Sequence, residues 1–361
     1  MPLHPQVQAL MDRRAELGFP DMQDVTPDEA RANARAGKAA IPAVAEPVGE
    51  ITEQTIPGPA GDIPIRIYRP SAPGPHSLIM LFHGGGWVLG DVDSEDSTSR
   101  GLVNRVNAVL VSVDYRMAPE TRFPGAPEDC YAATVWAVEH AEELGVDASN
   151  LAVAGTSAGG NLSAAVAQMA RDRGGPVIKH QVLFCPVIDY KFDRSSYVEN
   201  AEGYGLTRDG MIWFWDQYVG AGNEAEGRNP YASPIRADDL SGLADATVIA
   251  AEFDPLLDEA ADYAAALKAA GNDVIFTEYP GMTHGFNGSF GLIDAAVEAC
   301  TEASNRILRR SPSSASRASL RSRGIWGRDA SLLKIPTQTK RAIPGYKRDR
   351  PLLKFKFGYY A

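Results

Sequence analysis

Cysteine is scarce in this 361-residue chain: Cys130, Cys185 and Cys300 are the only three, and none is in a CxxC pair. An odd count without that spacing supports neither a disulfide framework nor a cysteine-held metal. All three are expected as reduced core residues within helices or strands. Histidine is limited to six residues, and no His/Cys/Asp/Glu cluster has metal-ligand spacing, so neither a metal nor a cofactor is expected. Nowhere do about 20 apolar residues run together, as a membrane helix requires. The start, Met1-Pro-Leu-His-Pro-Gln-Val7, lacks the charged and then apolar stretch of a secretory leader. The expectation is therefore a cytoplasmic protein without a transmembrane segment.

Positive charge is also deficient in most of the chain. The formal net charge is −11, yet residues 311–361 hold 12 Lys and Arg against Asp329 and Asp349, leaving −21 for residues 1–310. No nucleic-acid partner is expected for so acidic a body. The basic segment begins Ser311-Pro-Ser-Ser-Ala-Ser-Arg317. It reads as a nucleic-acid or anionic-membrane arm, as a disordered extension lying on the acidic body, or as a stretch unrelated to the rest. Its composition favours disorder.

What is present is chemically pointed. Gly155-Thr-Ser157-Ala-Gly159 follows the apolar run Leu151-Ala-Val-Ala154. A serine between glycines on a strand-to-helix turn is held out where a base can reach it. Leu162, Ala165, Val166 and Met169 then recur at helical spacing. The plain alternative is a serine in an ordinary strand–helix loop. A second motif bears on that choice: the run Ser77–Phe82 opens into His83-Gly-Gly-Gly-Trp87. Glycines at a strand end leave bare, approachable N–H groups suited to an oxyanion hole, where the bland reading is a flexible surface loop.

A base and an acid must follow the serine. Of the histidines, only His180 and His284 lie beyond Ser157. His180 opens an apolar strand, which suits a structural role. His284 lies in the glycine-bounded stretch Gly281–Phe286 after the strand-like Val274–Tyr279. Loops at the carboxyl ends of strands are where open α/β sheets place ligands, so His284 is the candidate base. Asp254 follows Thr247–Phe253 and precedes Pro255; its rival Asp189 follows Val182–Ile188 in the same manner. Asp258 suits the start of a helix, where a negative charge is favoured.

These motifs, with Asp114-Tyr-Arg-Met-Ala-Pro-Glu120, Phe123-Pro124, Glu128-Asp129, Asn161, Asp254-Pro-Leu256 and His284-Gly-Phe286, resemble the hormone-sensitive-lipase-like bacterial carboxylesterases. The resemblance runs from near the N-terminus to residue 310. It implies an α/β-hydrolase fold with a helical cap, a triad of Ser157, Asp254 and His284, and an oxyanion hole at Gly85, Gly86 and Ala158 with Gly84 close by. Thr156 in place of Asp implies one of two subgroups. Met117 stands where the family usually has Leu, a volume-conserving change expected to be harmless.

The remaining pattern agrees with an α/β fold. Strands are predicted at 50–56, 62–69, 77–83, 108–115, 151–156, 180–187, 246–253 and 273–279, and helices at 95–106, 124–144, 158–173, 258–270 and 291–309. Eight strands with helical crossovers imply a mostly parallel, twisted sheet flanked by helices, its first two strands antiparallel across a Pro/Gly turn. Residues 1–45 and an insertion at about 190–225 lie outside that alternation and are expected to cap a catalytic domain spanning 46–310. Trp87, Leu206, Met211, Trp215 and Phe286 are the candidate lining of an acyl pocket, against the alternative that any one of them is only core.

The expected reaction is hydrolysis of short- to medium-chain acyl esters through an acyl-enzyme. Two other readings stay open. An amide or acetyl hydrolase similar to the arylacetamide deacetylases would share every catalytic residue. A ligand-binding receptor similar to the plant gibberellin receptors would lack the catalytic histidine, which is present here. The expected partner is a small ester, and no residue pattern decides between monomer and homodimer.

Overall fold

Runs of apolar, often β-branched residues build the sheet. In the computed structural model, which describes residues 2–310, β1 (Glu50–Gly58) and β2 (Gly61–Arg69) form an antiparallel hairpin. They are followed by β3 (His76–Phe82), β4 (Ala108–Val113), β5 (Val146–Thr156), β6 (Ile178–Phe184), β7 (Asp245–Phe253) and β8 (Val274–Thr283). All eight lie in one sheet in the order β1-β2-β4-β3-β5-β6-β7-β8. β2 pairs antiparallel with β4, and the pairs from β4 to β8 are parallel. β3 and β4 are buried along nearly their whole length, as strands covered on both faces must be. The basic segment 311–361, with the three readings given for it, lies outside the described residues.

The helices are α1 (Pro5–Ala15), α2 (Pro27–Ala40), α3 (Asp96–Val106), α4 (Gly125–Glu139), α5 (Ala141–Leu144), α6 (Ala158–Asp172), α7 (Ser195–Glu199), α8 (Arg208–Val219), α9 (Glu224–Gly227), α10 (Leu257–Ala269) and α11 (Asp294–Arg310). α3 and α11 pack on one face of the sheet through Leu102, Val103, Ala299 and Ala303. α4 and α6 cover the other through Cys130, Ala133, Leu162 and Val166.

This two-sided arrangement locates a crevice. The chain leaves β3 by way of α3 to reach β4, then crosses through α4 to return to β5 on the far side of β3. The connections after β3 and β5 therefore diverge to opposite faces, and the gap at their carboxyl ends is the topological switch point. His83–Trp87 and Ser157 occupy those two ends.

Several boundaries differ from expectation for local reasons. β6 stops at Phe184 because Cys185 adopts φ +44° and Pro186 has no N–H for the ladder; Cys185, expected within a strand over 180–187, therefore lies in the loop after it. β8 continues to Thr283 beyond a register shift opposite Ala251–Phe253, so His284 directly follows a strand. The helix predicted at 124–144 is two, parted at His140, whose ring Nδ1 lies 2.9 Å from the Trp136 carbonyl oxygen. β5 begins at Val146, five residues early, with a register shift at Leu151–Ala152.

The segments outside the alternation divide between two cores. α1 buries Val7 and Leu10 with Met282 and Phe286. Met22, Val25 and Ala30 pack instead with the insertion helix α8. α2 starts with a capping box in which Thr26 and Glu29 satisfy each other's backbone N–H groups. From α2, Arg31 donates to the Val88 and Ala118 carbonyl oxygens at 2.9 and 2.8 Å and forks onto Glu120, tying the N-terminal segment to the glycine loop.

Candidate active site

Ser157 sits between β5 and α6 with φ +59° and ψ −117°, a backbone region that non-glycine residues occupy only when the surroundings hold them there. Its N–H donates to the Phe184 carbonyl oxygen at 2.8 Å, and its own carbonyl accepts from Asn161 and Val187. Tight packing leaves no room for a larger residue at Gly159, where a Cβ would overlap the Phe82 carbonyl oxygen. Asn161 fixes the next turn by donating its Nδ2 to the Val187 and Ala232 carbonyls.

The loop after β3 is held by its own histidine. His83 is fully buried, stacked on Tyr115 with ring centroids 4.2 Å apart, and its Nδ1 donates to the Gly84 carbonyl oxygen at 2.8 Å. The Tyr115 hydroxyl donates to the His83 carbonyl oxygen at 2.8 Å. Gly86 has φ +60°, and a Cβ there would overlap the Phe214 ring. The Gly84 N–H faces the buried carboxyl of Glu95. Among the described residues, the N–H groups of Gly85 and Gly86 have no hydrogen-bond acceptor. The Ala158 N–H is in the first turn of α6, where helical N–H groups lack a partner within the helix.

Burial lowers the His83 imidazole pKa from 6.5 to about 4, which gives a stability prediction. Below pH 6.5 the unfolded chain takes up a proton that the folded chain refuses, so folding weakens as pH falls from 6.5 towards 4. At pH 4.5 the loss should be about 2–3 kcal/mol. The advantage of the wild type over His83→Gln in urea unfolding should therefore shrink across that interval; a constant difference would contradict a buried neutral ring.

Asp254 follows β7 and is fully buried. Its Oδ2 lies 2.8 Å from His284 Nδ1, and its Oδ1 accepts from the Leu256 N–H at 2.9 Å. The rival Asp189 is committed elsewhere, pairing with Arg194 at 2.8 Å and Arg236 at 2.5 Å. His180 meets the Thr247 hydroxyl at 2.9 Å inside the sheet layer. Asp258 accepts from the Ser196 N–H at the start of α10.

Two neighbours escaped the sequence reading. Cys185 brings its Sγ beside Asp254 and His284, the three possible ligand atoms lying within 4.8 Å of one another. Burial, followed by the adjacent Asp254 carboxylate, pushes the Cys185 thiol pKa well up, so it remains S–H. Asn287, just after His284, donates to the Thr156 hydroxyl at 2.8 Å. Its spacing from His284 offered no signal, whereas Asn161 closes the Gly-Thr-Ser-Ala-Gly-Gly-Asn string.

The expected acyl-pocket residues are largely core. Trp87 and Trp215 have no accessible surface, Met211 has 1% and Phe286 has 2%. Trp87 stacks on Tyr218 at 4.0 Å and lies against Trp215. Met211, Phe214, Trp215, Tyr218 and Val219 form the buried face of α8, the i, i+3, i+4 stripe of a helix packed on a body. Phe286 packs with Tyr279 on the α3/α11 side. Leu206 alone of the five keeps partial exposure, as does Trp213 on the opposite side of α8.

Residues 79–288 match the α/β-hydrolase fold family. The chain is 45% identical over 248 residues to carboxylic ester hydrolase LipN of Mycobacterium tuberculosis, covering 67% of this chain and 66% of LipN. It is 40% identical over 272 residues to carboxylesterase NlhH of the same organism, covering 74% and 85%. Its fold superposes on a hyperthermophilic esterase from the archaeon Pyrobaculum calidifontis with a TM-score of 0.80 and 40% identity, covering 86% of this chain and 99% of that one. No helix among the described residues is long and apolar enough to cross a membrane. Fold, switch-point motifs and relatives agree: this chain belongs to the hormone-sensitive-lipase-like carboxylesterases of the α/β-hydrolase superfamily and is a carboxylic ester hydrolase.

Proposed function

We propose that the protein hydrolyses short- to medium-chain acyl esters, with Ser157 as nucleophile, His284 as general base and acid, and Asp254 as the group that orients the imidazole. The observation that carries this reading is the 2.8 Å contact between His284 Nδ1 and Asp254 Oδ2. It commits Nδ1 as a donor and leaves Nε2 to exchange protons with the substrate side.

Ser157 Oγ adds to the ester carbonyl carbon as His284 takes its proton. The carbonyl oxygen becomes an oxyanion, bound by the N–H groups of Gly85, Gly86 and Ala158. Collapse breaks the bond to the alkoxy oxygen, which leaves as the alcohol with the proton from His284. Water, deprotonated by the same histidine, then adds to the acyl-enzyme; the acyl–Oγ bond breaks, His284 returns the proton to Ser157 Oγ, and the carboxylic acid leaves. Every group in these steps is supplied by the chain, the ester or water.

Parts of residues 1–45 and the insertion at about 190–225 form the cover over this site, with Leu206 and Trp213 as its accessible apolar groups. Because most of the α8 aromatics are spent on packing, the acyl pocket is short. With p-nitrophenyl esters from acetate to laurate, kcat/KM should peak between butyrate and octanoate and fall at least about tenfold at laurate, whose last methylenes find no apolar contact. A steady rise to laurate would contradict the short pocket. An ester and an amide sharing one acyl group, assayed together, separate esterase from amidase preference; faster amide turnover would favour the deacetylase-like reading.

A further inference from the structure

A polar cluster that the steps above do not use lies beneath the serine turn. Glu95, immediately before α3, is 6% exposed. Its carboxyl faces the Thr156 and Thr98 hydroxyls and the Gly84 N–H. A Cβ on Gly84 would lie 2.9 Å from the Thr156 carbonyl oxygen and 3.5 Å from Glu95 Oε1, so these segments touch. The Thr156 hydroxyl oxygen accepts from Asn287 Nδ2 and still has its own proton to donate. The Glu95 carboxyl is the acceptor beside that hydroxyl.

We propose that Glu95 is a positioning residue for ester hydrolysis, joining the glycine loop to the serine turn and, through Thr156 and Asn287, to the histidine loop. The inference rests on the serine mechanism proposed above, because those three loops carry its oxyanion donors, nucleophile and base. Burial raises the Glu95 carboxyl pKa above its ordinary value, which favours the neutral acid. Oε2 has no hydrogen-bond partner among the described residues, so an ionised carboxylate would leave a buried oxygen without a donor. Lys38, the charged side chain that acts on Glu95, also donates to the Asp93 carbonyl oxygen. A partly satisfied buried network costs stability; here its members are the loops that must stay in register.

The test compares kcat, KM and organophosphate labelling for Glu95→Gln, Glu95→Ala, Thr156→Val and the Glu95→Ala/Thr156→Val double variant. Glutamine, a neutral isostere, should keep kcat within about threefold, whereas Glu95→Ala and Thr156→Val should each lower kcat by about 10²-fold with KM little changed. The double variant should be no slower than the slower single, because both changes break one linkage. Wild type and all four variants should still take up label at Ser157; an unlabelled wild type would instead count against the serine mechanism. Wild-type kcat in Glu95→Ala or Thr156→Val, equal losses in the Gln and Ala variants, or losses that multiply would each overturn the proposal. If Glu95→Ala does not fold, Glu95→Gln and Thr156→Val decide it.

Discussion

Replacing Ser157 with alanine should lower kcat for p-nitrophenyl butyrate by on the order of 10⁶-fold, the scale reached when a serine nucleophile is removed. The loss is large because the triad acts as a unit whose members cannot substitute for one another, and the neighbouring Cys185 thiol is buried and held as S–H. The fold should persist. Ser157 holds its turn through backbone groups, its N–H on the Phe184 carbonyl and its carbonyl on Asn161 and Val187, and alanine keeps all three bonds. Relief from the φ +59° conformation is also denied to alanine, so unfolding free energy should change little. Wild-type turnover in a folded Ser157→Ala protein would remove Ser157 from the mechanism.

The second large effect separates two aspartates that precede similar loops. Asp254→Asn should lower kcat by about 10⁴-fold, since an amide that donates towards Nδ1 favours the wrong imidazole tautomer. Asp189→Asn should act on stability instead. Asp189 is 3% exposed and takes both Arg194 and Arg236. Losing its charge takes the carboxylate from Arg236 and leaves Arg194 with Asp262 at 3.1 Å, a change of about 3 kcal/mol for a buried pair. Measured per labelled active site, kcat of Asp189→Asn should stay near wild type while its melting temperature falls. A larger kcat loss in Asp189→Asn than in Asp254→Asn would exchange their roles.

These two aspartates also mark what was legible in the chain. The strand positions and the loops of Ser157 and His83–Trp87 follow from apolar runs and glycines, because those residues dictate backbone shape locally. Asp189 and Asp254 look alike locally, and only tertiary pairing with arginines 5 and 47 positions away tells them apart. Met211 and Trp215, expected in an acyl pocket, are buried in the α8 packing face for a related reason. Helical periodicity reports which face is buried, and core packing and substrate lining produce the same stripe. Cys185 was hidden inside an apolar run with no glycine to signal its φ of +44°. Glu95 carried no signal of its own in the sequence, and its burial under the serine turn is a property of the fold alone.

The central claim is that Ser157 forms a covalent intermediate. Its most direct test is intact-mass and peptide mass spectrometry after reaction with a dialkyl p-nitrophenyl phosphate. One dialkylphosphoryl group per chain is expected, located on Ser157, with activity lost in proportion to labelling. Full inactivation with the adduct on another residue, or sustained activity without any adduct, would contradict it.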